Sequence, residues 1–364
     1  MQLSYVLELL PPTKRKENIL LKNVAETQKN REEIVKKLHS GETKLSSAHF
    51  KARNLPSAVI NQNIREVKSL YKTFKKSDSK KEVPEFKPNQ PLCYNNQNYK
   101  IDGRYITVPL WTHRTERITF PIKQTPVFRE LEYQIIFGAK PGKASLFYKR
   151  GGWYFVVTVS FNVEKTTGTN IMGIDIGLRQ LAAASVKTPD DKELNRELHT
   201  GKEAAYIRKK YRFLRRKLGK TKKIKAIKKI SDKEHRWMTD KNHKISRSLV
   251  NLAVQEGAGT IVMERLSGIR RRVKSLKRAD RNIHSWSFYQ LQHFIEYKAH
   301  LAGINVVYVD ADYTSQICNS CGNLNKSNRK GNLYTCSCGY RTHSDLNAAR
   351  NIADRYKNKL KQSA

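Results

Sequence analysis

Four of the five cysteines, Cys318, Cys321, Cys336 and Cys338, lie close together near the end of the chain. The first pair is C-x-x-C and the second C-x-C, with a polar insert between them. Four thiolates close a tetrahedral site with metal–sulfur bonds of about 2.3 Å and leave no position open, so the spacing predicts a structural zinc and not a catalytic one. The second pair is one residue tighter than the common knuckle, which leaves His343 as an alternative ligand in place of Cys336 or Cys338. The insert over 322–335 is rich in Asn, Lys and Arg and suits either a nucleic acid or solvent. Cys93 stands apart and reads as an inert core thiol. Cysteines spent on a metal ribbon, and not on a disulfide framework, fit a reducing cytoplasm.

Three carboxylates have the second kind of chemistry. Asp175 sits in GIDIG, an acid between apolar neighbours in a strand, and a charge there is costly unless it is paired or binds metal. Gly173 and Gly177 on either side leave room for close approach of a backbone or substrate. Glu264 directly follows the apolar run Ile261-Val262-Met263. Asp345 opens the helical run DLNAARNIADR. Taken singly, Asp345 reads as a helix N-cap, and Glu264 as a strand-end acid paired with Arg265 or Arg270. Together they are the set that phosphodiester hydrolysis needs. Two divalent cations about 3.5–4 Å apart activate water and stabilise the leaving oxygen. Hard ions such as Mg²⁺ take oxygen ligands, more than one side chain supplies. Asp310 and Asp312, near another strand end, read as turn or capping residues.

The elements that would position these groups follow from hydrophobic period. An apolar strand over 171–176 pairs with 181–186. A basic helix or helical hairpin spans 202–225, with twelve Lys or Arg and one acid. A helix over 233–255, a strand at 261–263, a second basic run over 270–281, a helix over 288–301 and a strand over 304–309 follow. This order is that of an RNase H-like α/β nuclease core, interrupted before its last helix by the cysteine ribbon. Tyr206, Tyr211 and Phe213 read as packed against the core rather than stacked on bases.

The first half has a different period. One strand lies at 3–10, one or two helices over 14–38, and a clearer helix begins near Pro56 and carries Ile60, Ile64, Val67, Tyr71 and Phe74. Residues 77–97, with Pro84, Pro88 and Pro91, read as a linker. Strands are expected at 105–108, 118–120 and 133–137, and a hairpin over 146–159. These suggest a small antiparallel barrel or sheet, with the helices inserted after its first strand.

Charge names the class of partner. The 364 residues contain 71 Lys and Arg against 32 Asp and Glu, a formal net charge of +39. Self-repulsion on that scale points to a polyanion, and hence to nucleic acid. There is no long apolar run and no secretory h-region, which argues against a membrane partner.

GIDIG, IVMERLSG, YTSQICNSCG and CSCGYRTHSDLNAARNI, in this order over about 170–355, resemble the TnpB family of transposon-associated, RNA-guided DNA nucleases, similar to type V CRISPR effectors. The segment NLPSAVINQNIREV adds weaker support. The resemblance implies a wedge-type β-barrel from 1–12 and 86–165 that holds the guide RNA scaffold. It implies a helical recognition lobe over 13–85 and a RuvC-like nuclease domain over 166–317 and 341–364. The zinc ribbon would occupy 318–340. Asp175, Glu264 and Asp345 would ligate two Mg²⁺ ions, with Mn²⁺ as a substitute, and cut double-stranded DNA beside a short target-adjacent motif. One chain with a guide RNA from the transposon end is the expected assembly, in the prokaryotic cytosol at the nucleoid. The family often has a basic residue before its last aspartate. Here that residue is Ser344, so Arg341 is the candidate to replace the lost contact. A nuclease-silent RNA-guided repressor, an RNase H-like transposase and a non-catalytic zinc-ribbon binder are the alternatives.

Overall fold

A computed structural model of the chain describes residues 1–77, 81–266, 288–310 and 312–363. The basic run 270–281, with Arg270, lies outside them. The chain divides into two compact units, Met1–Asn162 and Val163–Ala364. Among the described residues, no helix is long and apolar enough to cross a membrane.

In the first unit, β1 (Gln2–Glu8) pairs antiparallel with β7 (Gly152–Ser160). The sheet continues through β6 (Lys140–Lys149) to β2 (Leu92–Tyr94). A second sheet runs β3 (Lys100–Asp102), β4 (Tyr105–Trp111) and β5 (Thr115–Pro121). A bridge between Leu9 and Ile122 joins the two sheets. Between β1 and β2 the chain leaves to form α1 (Lys14–His39) and α2 (Ser57–Lys75). Thr13 caps α1, its side chain accepting from the Lys16 N–H. Buried Asn23 on α1 then exchanges two 2.9 Å hydrogen bonds with the backbone of Trp111, which ties the helix to β4.

Two expectations fail here. The expected linker contains β2, whose Leu92, Cys93 and Tyr94 are all buried. The expected strand at 133–137 is the end of α3 (Pro126–Ile136). Thr125 caps that helix by accepting from the Phe128 N–H, and Pro126 starts it. Phe128 and Leu131, three apart, are its buried face, whereas Tyr133, Ile136 and Phe137 are exposed. Four apolar or aromatic residues out of five look like a strand until the cap sets the period.

In the second unit the sheet order is β10-β9-β8-β11-β12. The strands are β8 (Asn170–Asp175), β9 (Gln180–Lys187), β10 (Glu193–Thr200), β11 (Ala258–Glu264) and β12 (Asn305–Val309). The β8–β9–β10 meander is antiparallel, and β11 runs parallel to both β8 and β12. β10, ELNRELHT, was not expected, because its charged sequence lacks an apolar alternation. α4 (Lys202–Lys220) and α5 (Ile224–Gln255) form the basic hairpin, so α5 begins about nine residues before its expected start at 233. α5 and α6 (Phe288–Leu301) share one core with Met172, Ile174, Ile261 and Met263. α7 (Ser344–Ser363) covers the other face of the sheet, against Ile171, Val262, Val309 and Ala183. Ala349 and Ala353 of α7 press onto β8 so closely that a Cβ on Gly173 would stand 2.1 Å from the Ala349 carbonyl oxygen. The close approach foreseen at this glycine is that of a helix backbone.

Candidate metal centre and cysteine ribbon

Side chains alternate across a sheet with a period of two. Ile171 faces α7, so Gly173 and Asp175 do as well; Val262 faces α7, so Glu264 does too. Met263 pairs with Ile174 in parallel register, which makes Glu264 and Asp175 neighbours on the next rung, at the ends of adjacent strands. α7 lies on this face and carries Asp345 in its first turn. Strand parity and one helix thus bring together three acids separated by up to 170 residues.

Their electrostatics reflect the crowding. Burial pushes the Asp175 carboxyl up to about 8, and the charges of Glu264 and Asp345 push the same way, against Arg329 and the Ile176 backbone N–H. Glu264 is also raised, chiefly by burial. Thr314, Arg355 and Arg329 oppose that shift, while Asp312 adds to it. Thr314 donates its hydroxyl to Glu264 Oε1, and Gln292 donates to the Glu264 carbonyl at 2.7 Å. Of the expected partners, Arg265 does not figure in this set, and Arg270 lies outside the described residues. Asp345 is buried, and Arg329 Nη2 lies 2.7 Å from its Oδ1. Its carboxylate therefore has an ionic partner, which the N-cap reading did not anticipate.

The four cysteines form a tighter cluster. Their sulfurs all lie within 4.8 Å of one another, with 3.8 Å between Cys318 and Cys338 and 3.7 Å between Cys321 and Cys336. A tetrahedron with metal–sulfur bonds of about 2.3 Å has edges of about 3.8 Å, so the spacing fits zinc. Among the described residues, the three carboxylates do not close to that mutual distance. His343 is not in the cysteine set. Its Nδ1 accepts from the Asp345 N–H at 3.2 Å instead.

The ribbon also grips the start of α7. The Ser344 N–H donates to the Asn332 carbonyl at 2.8 Å, and its hydroxyl to Gly331 at 3.1 Å. Ser344 is fully buried, so a long basic side chain would not fit there without rearrangement. The cation beside Asp345 comes from Arg329, in the polar insert, and not from Arg341, which lies exposed on the short strand Arg341–His343. Sequence reasoning missed Arg329, and only the insert's richness in basic residues pointed toward it. Asp310 and Asp312 give their backbone carbonyls to Arg355, and Asp312 also bears on Glu264 by charge.

On α4, Tyr206 and Phe213 are 63% and 66% exposed, which corrects the expectation that they pack in the core. They alternate with exposed Lys209, Lys210, Arg216, Lys217 and Lys220 along one stripe.

Comparison with known proteins bears on the family. Residues 288–352 match the family described as Cas12f1-like, TNB domain, and residues 154–270 match OrfB_IS605, described as a probable transposase. The CRISPR-associated endodeoxyribonuclease Cas12f1 of Sulfoacidibacillus thermotolerans is 30% identical over 336 residues, 83% of this chain and 78% of the relative. A TnpB-like protein of Methanocaldococcus jannaschii is 37% identical over 119 residues, covering 32% of this chain and 42% of that protein. In fold, the chain matches the Cas12f1 chain of a Cas12f1–sgRNA–target DNA complex with a TM-score of 0.71 at 15% identity, over 93% of this chain and 83% of that one. The chain belongs to the TnpB and Cas12f1 family of RNA-guided DNA endonucleases.

Proposed function

We propose that the chain binds a guide RNA and cleaves complementary double-stranded DNA at the Asp175–Glu264–Asp345 cluster by two-metal phosphodiester hydrolysis, in a RuvC-like, RNase H-type domain. The observation that carries this reading is the placement of Asp175 and Glu264 at the ends of adjacent strands, on the sheet face covered by the helix that carries Asp345; burial and the two neighbouring acids push the Asp175 carboxyl up to about 8. Three acids gathered at two strand ends and the first turn of a helix are costly to hold charged, and a bound cation relieves that cost. When bound, Mg²⁺ or Mn²⁺ would supply Lewis acidity and a hydroxide at neutral pH. The three carboxylates would hold the ions. Arg329, already against Asp345, offers a fixed positive charge to the phosphate as negative charge develops on it.

The cysteine quartet holds a structural zinc in this reading, its four thiolates leaving no place for water. The remaining roles are assigned by family. The barrel strands over 1–12 and 86–165 hold the guide scaffold, and the helices over 13–85 read the heteroduplex and the target-adjacent motif. The nuclease spans 166–317 and 341–364, and the ribbon 318–340. The exposed basic stripe of α4 fits phosphate contacts, which suffice when base pairing reads the sequence.

Co-purification tests the reading. The protein is expressed with its flanking genomic DNA, the bound RNA is sequenced, and the complex is offered a matched plasmid library with Mg²⁺. One defined RNA and guide-dependent cuts beside a short motif are expected. Absence of a specific RNA, or strand-transfer products in place of cuts, would overturn it.

A further inference from the structure

The segment from Thr314 to Asn319 runs from the carboxylate cluster to the cysteine quartet. It lies along α7, held by side-chain amides. Asn347, Asn351 and Asp354 stand on one stripe of α7, at i, i+4 and i+7. Asn347 Nδ2 donates to the Ile317 carbonyl at 2.7 Å, and its Oδ1 accepts from the Asn319 backbone N–H at 3.1 Å. Asn351 Nδ2 donates to the carbonyls of Thr314 and Ile317, both at 2.8 Å. Asn319 Nδ2 returns bonds to Asn351 Oδ1 at 3.0 Å and Asp354 Oδ2 at 2.6 Å. Asn347 is fully buried, and Thr314 and Asn351 nearly so.

At one end of this ladder Thr314 holds Glu264 by its hydroxyl; at the other, Cys318 is buried within the sulfur cluster. The helix gripped by the ladder carries Asp345. Apolar packing alone would join the ribbon to α7 without fixing its register. Amide bonds are directional, and a slip along the helix would leave buried donors unpaired, at about 1–3 kcal/mol each.

We propose that the first cysteine knuckle is a positioning device for two of the three carboxylates. It acts on Asp345 through Asn319, Asn347 and Asn351, and on Glu264 through Thr314. The ribbon's metal thereby sets the geometry of the catalytic metal site without touching substrate. This rests on the reading of the three acids as metal ligands. Thr314, Asn319, Asn347 and Asn351 are positioning residues. Outer partners of this kind change metal affinity by about 10–100-fold when lost.

The test uses the guide-loaded full chain. Mn²⁺ binding is measured by calorimetry and zinc content by elemental analysis, for wild type, Thr314→Val, Thr314→Ser, Asn351→Ala and Asp175→Ala. Thr314→Val and Asn351→Ala are expected to weaken Mn²⁺ binding about tenfold or more with one zinc retained, and Thr314→Ser to restore it. Unchanged Mn²⁺ affinity in both Thr314→Val and Asn351→Ala, with binding lost in Asp175→Ala, overturns this inference alone. Mn²⁺ binding that survives Asp175→Ala overturns the underlying reading of the site and this inference with it. Should Asn351→Ala fail to fold, Thr314→Val against Thr314→Ser decides, since valine removes the hydroxyl that holds Glu264 and serine keeps it.

Discussion

Arg329 donates to Asp345 across 2.7 Å, and so an arginine of the cysteine ribbon closes the third corner of the acidic cluster. Arg329 also lowers the carboxyl pKa of both Asp175 and Glu264. It therefore acts as a common counter-ion for a site that otherwise gathers like charges. The pair is partly accessible on the arginine side, so its value lies in local field and geometry more than in fold stability.

Arg329→Ala is expected to reduce single-turnover DNA cleavage about 100-fold, the scale seen when one fixed donor to a developing negative charge is removed. Guide RNA binding should change by less than the loss of a single phosphate contact. Cleavage rates and filter binding on the same preparation separate the two effects.

Asp175→Asn separates stability from activity. With a carboxyl raised from 3.8 to about 8, the folded metal-free chain holds a proton that the unfolded chain releases. The penalty for the charged form therefore grows as pH rises through that window and is complete above about 8. Removing the charge should raise the metal-free Tm more at pH 8 than at pH 5, while abolishing cleavage. Added Mn²⁺ should raise the Tm of wild type and not that of the variant. Thermal melts at the two pH values, with and without Mn²⁺, check both statements.

Much of this site was legible in the sequence, for reasons that can be stated residue by residue. Asp175 and Glu264 each break an apolar strand, and strand parity then fixes the face on which they meet. The cysteine spacing carries its own geometry. Arg329 was not legible, because its position depends on how a polar insert folds back from two knuckles, and no period encodes that. β10 was hidden because its half-buried face carries Glu193, Asn195, Glu197 and His199 while its leucines are exposed, and α3 by aromatics that follow the helix outward. Tyr206 and Phe213 look like core residues by type, yet seven residues apart on α4 they share its solvent face with lysines.

Cys336→Ser should abolish zinc binding, lower the Tm and reduce cleavage, because the ribbon grips Ser344 and supplies Arg329. Cys93→Ser should leave zinc content unchanged, since that thiol is buried in the first unit near Glu66 and Arg31, its pKa pushed up to about 12 chiefly by burial. Elemental analysis of the two variants distinguishes them.

Gly173→Ala should be among the most destabilising small substitutions in the second unit. A methyl group there meets the Ala349 carbonyl oxygen at 2.1 Å, a backbone atom that cannot turn aside. Relief requires α7 to lift, which moves Asp345. Overpacking of this kind costs about 1–3 kcal/mol or more, measurable as a fall in Tm together with lost cleavage.

Lys209→Ala with Lys210→Ala should flatten the salt dependence of nucleic acid binding. Each lost phosphate contact removes about 0.7–0.9 from the slope of log K against log salt. Both residues are exposed, so the Tm should stay within the range of ordinary surface changes.

The central claim is that this acidic cluster cuts DNA chosen by the bound RNA. The most direct test is cleavage of a guide-matched and a mismatched plasmid by RNA-loaded wild type and Asp175→Ala, with Mg²⁺. Cuts are expected only in the matched plasmid and only with wild type, while the variant retains its RNA and still binds the matched DNA. Cutting by Asp175→Ala, or equal cutting of both plasmids by wild type, would contradict it.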